Sequence, residues 1–161
     1  MNPVLSIRNM KSTDTNSLRP ITHTPFPAFF RSIASENKYS EVQVLVSEQQ
    51  GIAVGFAKLV KFHVDKDAYG CILGIAVLPQ FRRKGIATRL VKSGTKGLKN
   101  DGVEAVFATA ERINFASLSA FKKAGYRKMS FLNLWRLFGP NIFEFYRDVR
   151  FSIGQVVLMH P

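Results

Sequence analysis

The chain has 161 residues, 46% hydrophobic and 21% charged, which suits one globular domain with a real core over residues 1–161. Lysine and arginine outnumber acids by 23 to 11, a formal charge of +12 that implies an anionic partner. The single cysteine, Cys71, excludes an intrachain disulfide, and the longest apolar run, 71–79, is about half of the roughly 20 residues that span a bilayer, so the reading is a soluble, cytoplasmic protein without signal peptide or membrane contact.

Residues 4–9, VLSIRN, predict a first strand. Thr13 and Asp14 suit the cap of a short helix ending before Pro20, and 26–37 predicts a second helix with Pro27 in its first turn. Val42, Val44 and Val46 alternate with polar neighbours, which predicts a half-buried strand over 41–48. A turn at 49–51 leads to a returning strand over 52–62, and 63–68 reads as a polar connection. YGCILGIAVL, 69–78, is nearly all apolar and predicts a central strand covered on both faces.

From Gly85 onward, Ile86, Leu90, Gly94 and Leu98 recur every fourth residue, the apolar stripe of a helix with cations opposite. Gly102 suits its stop, and 103–110 predicts another buried strand. With no room for a hairpin, these elements make a parallel crossover. A further helix starts at Asn114 and stops at Gly125, and strands are predicted at 126–132 and 155–160. The fold class is α/β, a single mixed central sheet with flanking helices.

Between the central strand and the basic helix stands QFRRKGIAT, 80–88. A helix start leaves backbone N–H groups unpaired and carries the positive end of the peptide dipoles. A glycine there lets an anion approach the backbone closely. Phosphate binding and a plain solvated helix end both remain open on this ground. Neither a Walker loop nor the dinucleotide fingerprint is present.

Arg82-x-x-Gly85-x-Ala87, directly after an apolar strand and Pro79, resembles the coenzyme-A loop of the GNAT N-acetyltransferase family. NFASLSAFKKAGY, 114–126, resembles that family's N-x-x-A/S-L-x-x-Y-x-K-x-G-F segment, with Phe121 in the tyrosine's place. The two motifs and their strands cover roughly 69–132, the expected coenzyme-binding core. The resemblance implies a GNAT-like fold and an acetyl-CoA-dependent transfer to a primary amine by direct attack in a ternary complex, with no metal. It implies that backbone groups of Ile75, Ala76 and Val77 pair with the pantetheine arm between two splayed strands. Amides from Arg82, Arg83, Lys84, Gly85, Ile86, Ala87 and Thr88 would hold the pyrophosphate, with cationic side chains assisting. Asn114 would bond the pantetheine chain, Phe121 would lie near the thioester, and Ser117 near the coenzyme's far end.

Two positions depart from the family. Phe121 has no proton for the leaving thiolate, and Tyr126, where relatives usually carry a buried Phe, is the nearest alternative acid. Thr109 stands where relatives that acetylate protein N-termini often carry a glutamate. Glu111 is the acid chosen for the base, over Asp65, Asp67, Glu104 and His63. The alternative is a coenzyme-binding relative without turnover, acting as a sensor or interaction protein. A nucleic-acid module is favoured only by charge, and the basic helix carries no aromatic residue among its cations, so nucleic acid is not expected as a partner. The stretch 131–146 holds six of the nineteen aromatics, which suits an apolar substrate pocket, a homodimer contact or ordinary core. The positive charge would repel a polycationic acceptor such as an aminoglycoside, which leaves a neutral or acidic small-molecule amine or a peptide N-terminus.

Overall fold

The computed structural model describes residues 5–22 and 39–161, so the helix expected over 26–37 lies outside the described residues. The elements are β1 (Leu5–Asn9), α1 (Thr15–Thr22), β2 (Glu41–Gln49), β3 (Ile52–Val64), β4 (Asp67–Val77), α2 (Ile86–Asn100), β5 (Val106–Glu111), α3 (Phe115–Lys123), β6 (Arg127–Lys128), α4 (Phe131–Phe138), α5 (Ile142–Asp148) and β7 (Gln155–His160). The strands form one mixed sheet in the order β1-β2-β3-β4-β5-β7-β6. Only β4 and β5 are parallel, joined across α2 as the apolar pattern predicts.

The stripe on α2 is buried against one face of the sheet, with Leu90 and Val91 inaccessible to solvent. A Cβ at Gly94 would come within 2.7 Å of Leu59 Cδ2, so glycine sets how closely the helix lies on β3. Phe121 and Leu118 of α3 join the same core layer. On the opposite face, Leu134 and Phe138 of α4 and Ile142 and Phe145 of α5 pack on Phe62 and Phe107. The Phe138 and Phe145 rings stack at 4.4 Å, and Phe107 meets Phe145 edge-on at 4.7 Å. Towards β1, Leu18 of α1 seals Val44, Val46 and Phe56.

Three local expectations need correction. The helix α1 passes through Pro20 to Thr22. Pro20 is exposed and its ring removes a single intrahelical bond, while Leu18 and Ile21 on either side are held by the sheet. The polar connection at 63–68 is a tight turn at Asp65, with φ 55°, which lets β3 and β4 pair out to Val64↔Asp67. The strand expected over 126–132 stops at Lys128, because the Ser130 side chain accepts from Asn133 N–H and starts α4. Gly139, with φ 51°, and Pro140 then end that helix. Among the described residues, no helix is long and apolar enough to cross a membrane.

Candidate active site

The two parallel strands separate partway along their length. β4 meets β5 only at Gly70↔Val106, Cys71↔Phe107 and Ile72↔Ala108. Immediately beyond, the register against β3 slips: Leu59 faces Ile72 and Lys58 faces Gly74, so Leu73 is an extra residue on β4. A bulge of this kind bends its strand. From Leu73 onward, β4 has no partner on its β5 side, and β5 carries on through Thr109, Ala110 and Glu111 against β7.

Which backbone groups face the gap follows from one hydrogen bond. Leu78 N–H donates to Val54 O at 2.9 Å, which brackets Gly55↔Val77 as a pair whose own amides point away from each other. Ile75, in unbroken register with Ala57 two residues earlier, has the same orientation. The N–H and C=O of Ile75 and Val77 therefore face the gap, while Ala76 is bonded to Phe56. The alternation narrows the expected trio to two residues.

At the end of β4 the chain turns through Pro79–Phe81, and the side-chain Nε of Arg82 donates to Val77 O at 3.0 Å. Arg82 thus ties the loop to the strand end, and Lys84 lies over the Phe81 ring at 5.2 Å. Arg83, with φ 63°, and Gly85, with φ 77°, both adopt the left-handed conformation. Such turns aim successive N–H groups into one concavity that suits an anion. The first intrahelical bond runs from Arg89 N–H to Gly85 O at 3.0 Å, so the amides of Ile86, Ala87 and Thr88 precede the helix ladder. Nothing lies within 4 Å of a Cβ built on Gly85, so space stands open before these donors. Free amides, the dipole, open space and three exposed cations fit a diphosphate.

Between the splayed strands lies a cleft of about 260 Å³, and it brings together Ile75, Glu111, Asn114, Ser117 and Phe121 from the expected set. Arg82 to Thr88 belong to the loop beyond the end of β4 rather than to the cleft wall. Asn114 Oδ1 accepts from Ser117 N–H at 3.1 Å as the cap of α3, and its amide hydrogens remain for a ligand. Phe121 is buried and meets Tyr126 edge-on at 5.0 Å. The Glu111 carboxylate is exposed at the end of β5 and among the described residues forms no ion pair, neither with Arg112 nor with Lys122. Five further lining residues, Ile72, Gly74, Thr109, Ala110 and Gln155, were not among the expected site residues. Gln155 is opposite Glu111 only through the antiparallel register of β5 and β7, which no local pattern reveals. Its Oε1 accepts from Ser152 N–H at 3.0 Å, which leaves its amide hydrogens free.

The remaining acid and base candidates separate cleanly by position. Tyr126 OH is bonded to Thr95 Oγ1 at 2.7 Å inside the core, and burial raises its pKa, so it is no acid for the cleft. His63, Asp65, Asp67 and Glu104 cluster at the start of β4 and its neighbours, while the cleft opens beyond Ile72. Asp65 is also engaged, accepting from Asn141 Nδ2 at 2.6 Å. None of residues 131–146 lines the cleft; their inner faces are core.

The acetyltransferase (GNAT) family matches residues 7–126. An N-alpha-acetyltransferase of Sulfurisphaera tokodaii is 27% identical over 141 residues, covering 78% of this chain and 82% of that protein. Another, of Saccharolobus solfataricus, is 34% identical over 64 residues, 39% of this chain, and the match spans only 38% of that relative's length. The structure of AAC(6')-Iy in complex with the bisubstrate analogue CoA-S-monomethyl-acetylneamine has a TM-score of 0.66 at 21% identity, over 79% of this chain and 93% of that one. With the splayed strands, the glycine loop and the family match in one chain, this protein belongs to the GNAT acetyltransferase family.

Proposed function

We propose that the chain transfers an acetyl group from acetyl-CoA to a primary amine by direct attack in a ternary complex. The observation that carries this reading is the opening of β4 from β5 at Leu73, which leaves the Ile75 and Val77 backbone groups facing the gap between the strands, ahead of the glycine loop that follows β4. The coenzyme supplies a thioester that an unprotonated amine can attack. The loop amides and Arg83 hold its diphosphate, Ile75 and Val77 pair with its pantetheine arm, and Asn114 bonds the same arm from α3. Val77 N–H meets the carbonyl oxygen as it becomes negative. Glu111 takes the proton from the incoming ammonium, directly or through water. Phe121 gives no proton, so the sulfur leaves as thiolate, and the second proton lost by the acylated nitrogen passes to water.

The acceptor is a neutral or acidic amine, with a peptide N-terminus as the main candidate. The names of the archaeal relatives support the peptide, and the charge of +12 opposes a polycation. A second reading, a coenzyme-binding relative without turnover, rests on Phe121 and Thr109 in the cleft. Thermal unfolding with acetyl-CoA at about 100 times its Kd should show about 2.7 kcal/mol of stabilisation, roughly 5–10 °C. Acetylation of a panel of peptides and small amines then separates the two readings. A shift with product supports transfer, a shift without product supports the second reading, and no shift overturns both.

A further inference from the structure

The coenzyme does not account for the chain's charge. Its diphosphate engages the loop before α2, yet Lys92, Lys96 and Lys99 begin about 10 Å further along that helix. The tertiary structure joins these cations to a second group. Thr95 of α2 is bonded to Tyr126 at 2.7 Å, which ties α2 to the segment that follows α3. Lys92 and Lys99 stand one helical turn before and after Thr95. Lys122 and Lys123 close α3, and Lys128 is paired with Leu158, which belongs to the same core layer as Tyr126. Five of these six lysines are exposed and Lys99 is half-buried. Among the described residues none forms an ion pair, and Lys99 Nζ donates to the Glu104 carbonyl oxygen at 2.8 Å. No acid occurs between Asp67 and Asp101 or between Glu111 and Glu144, so Asp101 and Glu104 bound the face only at its far end.

We propose that this face of α2, α3 and β6 binds the phosphate ladder of a nucleic-acid duplex. The absence of aromatics among the lysines argues against stacking on single strands, but duplex backbones are held by cations alone. A lipid surface fits less well, because α2 exposes no large apolar side chain to insert and the one that α3 exposes, Phe115, stands at the opposite end of that helix from Lys122 and Lys123. A second copy of the chain would bring like charges together. This proposal does not rest on acetyl transfer.

The test is fluorescence anisotropy of the whole chain with a 20-bp RNA duplex and a DNA duplex of the same sequence, across about 50–300 mM KCl. Sedimentation with phosphatidylglycerol vesicles forms the third arm. Contact by six lysines predicts a slope of about 5 in log affinity against log salt. The triple variant K92Q/K96Q/K123Q should lose affinity by about 30-fold at 100 mM salt and its slope should fall by about 3. An equal-charge control, K11Q/K66Q/R136Q, removes exposed cations from elsewhere and should stay within about threefold. Circular dichroism establishes that both variants are folded. The RNA and DNA arms identify the duplex concerned, and tight binding of either supports the face. Equal losses in the two triples, no duplex binding at 50 mM salt, or vesicle binding without duplex binding would each overturn it.

Discussion

Along β4, Gly70–Ile72 and Ile75–Val77 are similarly apolar, but only the first segment is paired on both edges. Gly70 lies under Leu98 of α2, where a Cβ would come within 2.9 Å of Leu98 Cδ1, and Cys71 and Ile72 are buried. That half is closed sheet core. The second half keeps its β3 partner and loses β5, so apart from Val77 O, which accepts from Arg82, its gap-facing backbone donors and acceptors have no strand partner. Orphan groups of this kind cost free energy when buried, which makes an open edge in the middle of a sheet a place for a ligand. One inserted residue, Leu73, separates the two halves.

The contrast can be broken most severely at the loop that completes the open half. Gly85→Glu puts a carboxylate where a diphosphate should sit, and like charges brought together cost several kcal/mol. Acetyl-CoA affinity should fall by about 100-fold or more, read by calorimetry, with the far-ultraviolet spectrum unchanged. Retained affinity would remove the loop from the site. Glu111→Gln tests the proton acceptor at the end of β5. It should lower kcat by about 100-fold and leave the thermal shift with acetyl-CoA intact. An unchanged kcat would eliminate Glu111 as the base.

A smaller effect is expected from filling the gap itself. A Cβ at Gly74 meets nothing within 4 Å, so Gly74→Val should fold normally and weaken acetyl-CoA by about tenfold, or 1.4 kcal/mol. The comparison variant in the closed half is Gly70→Val, which should destabilise the fold through Leu98 rather than impair binding selectively.

Away from both halves, Arg8 clamps Asp14 at 2.7 Å and Glu48 at 2.5 Å across β1, β2 and the start of α1. Arg8→Ala should cost about 2 kcal/mol, visible as a lower Tm, with acetyl-CoA affinity unaffected. The hydrogen bonds from Arg8 hold the Asp14 carboxyl below its ordinary range. A depressed carboxylate stabilises the fold above its unfolded pKa of about 3.9, and that contribution is lost as pH falls through the folded value. Arg8→Ala should therefore flatten the acid limb of the stability profile, and an unchanged limb would exclude Asp14 as its source. The least disturbance is expected from Phe121→Tyr. Acetyl-CoA affinity should stay within about threefold, while kcat rises if the added hydroxyl reaches the sulfur.

Both halves of β4 read from the sequence as one buried strand, and that reading contains no hint of where the partner departs. The helix α2, the loop before it and the cap at Asn114 were legible because each is local: a stripe every fourth residue, a glycine at a strand end, a polar residue before an apolar helix. The helices α4 and α5 were missed although Ser130, Gly139 and Pro140 are start and stop signals, because apolar residues run through both faces and obscure the period. Gln155 enters the cleft by pairing across 44 residues of chain with Glu111, and Thr109 by lying two residues before it.

By itself the sequence determined the glycine loop after β4, the parallel crossover around α2 and the family resemblance, since those depend on spacing along the chain. Only the tertiary structure decided that β4 opens at Leu73, that the backbone groups of Ile75 and Val77 rather than Ala76 face the gap, and that Tyr126 is locked to Thr95 beside the lysines of α2. Each of these depends on register or packing between distant segments, and the energies that set them come from neighbours no local window contains.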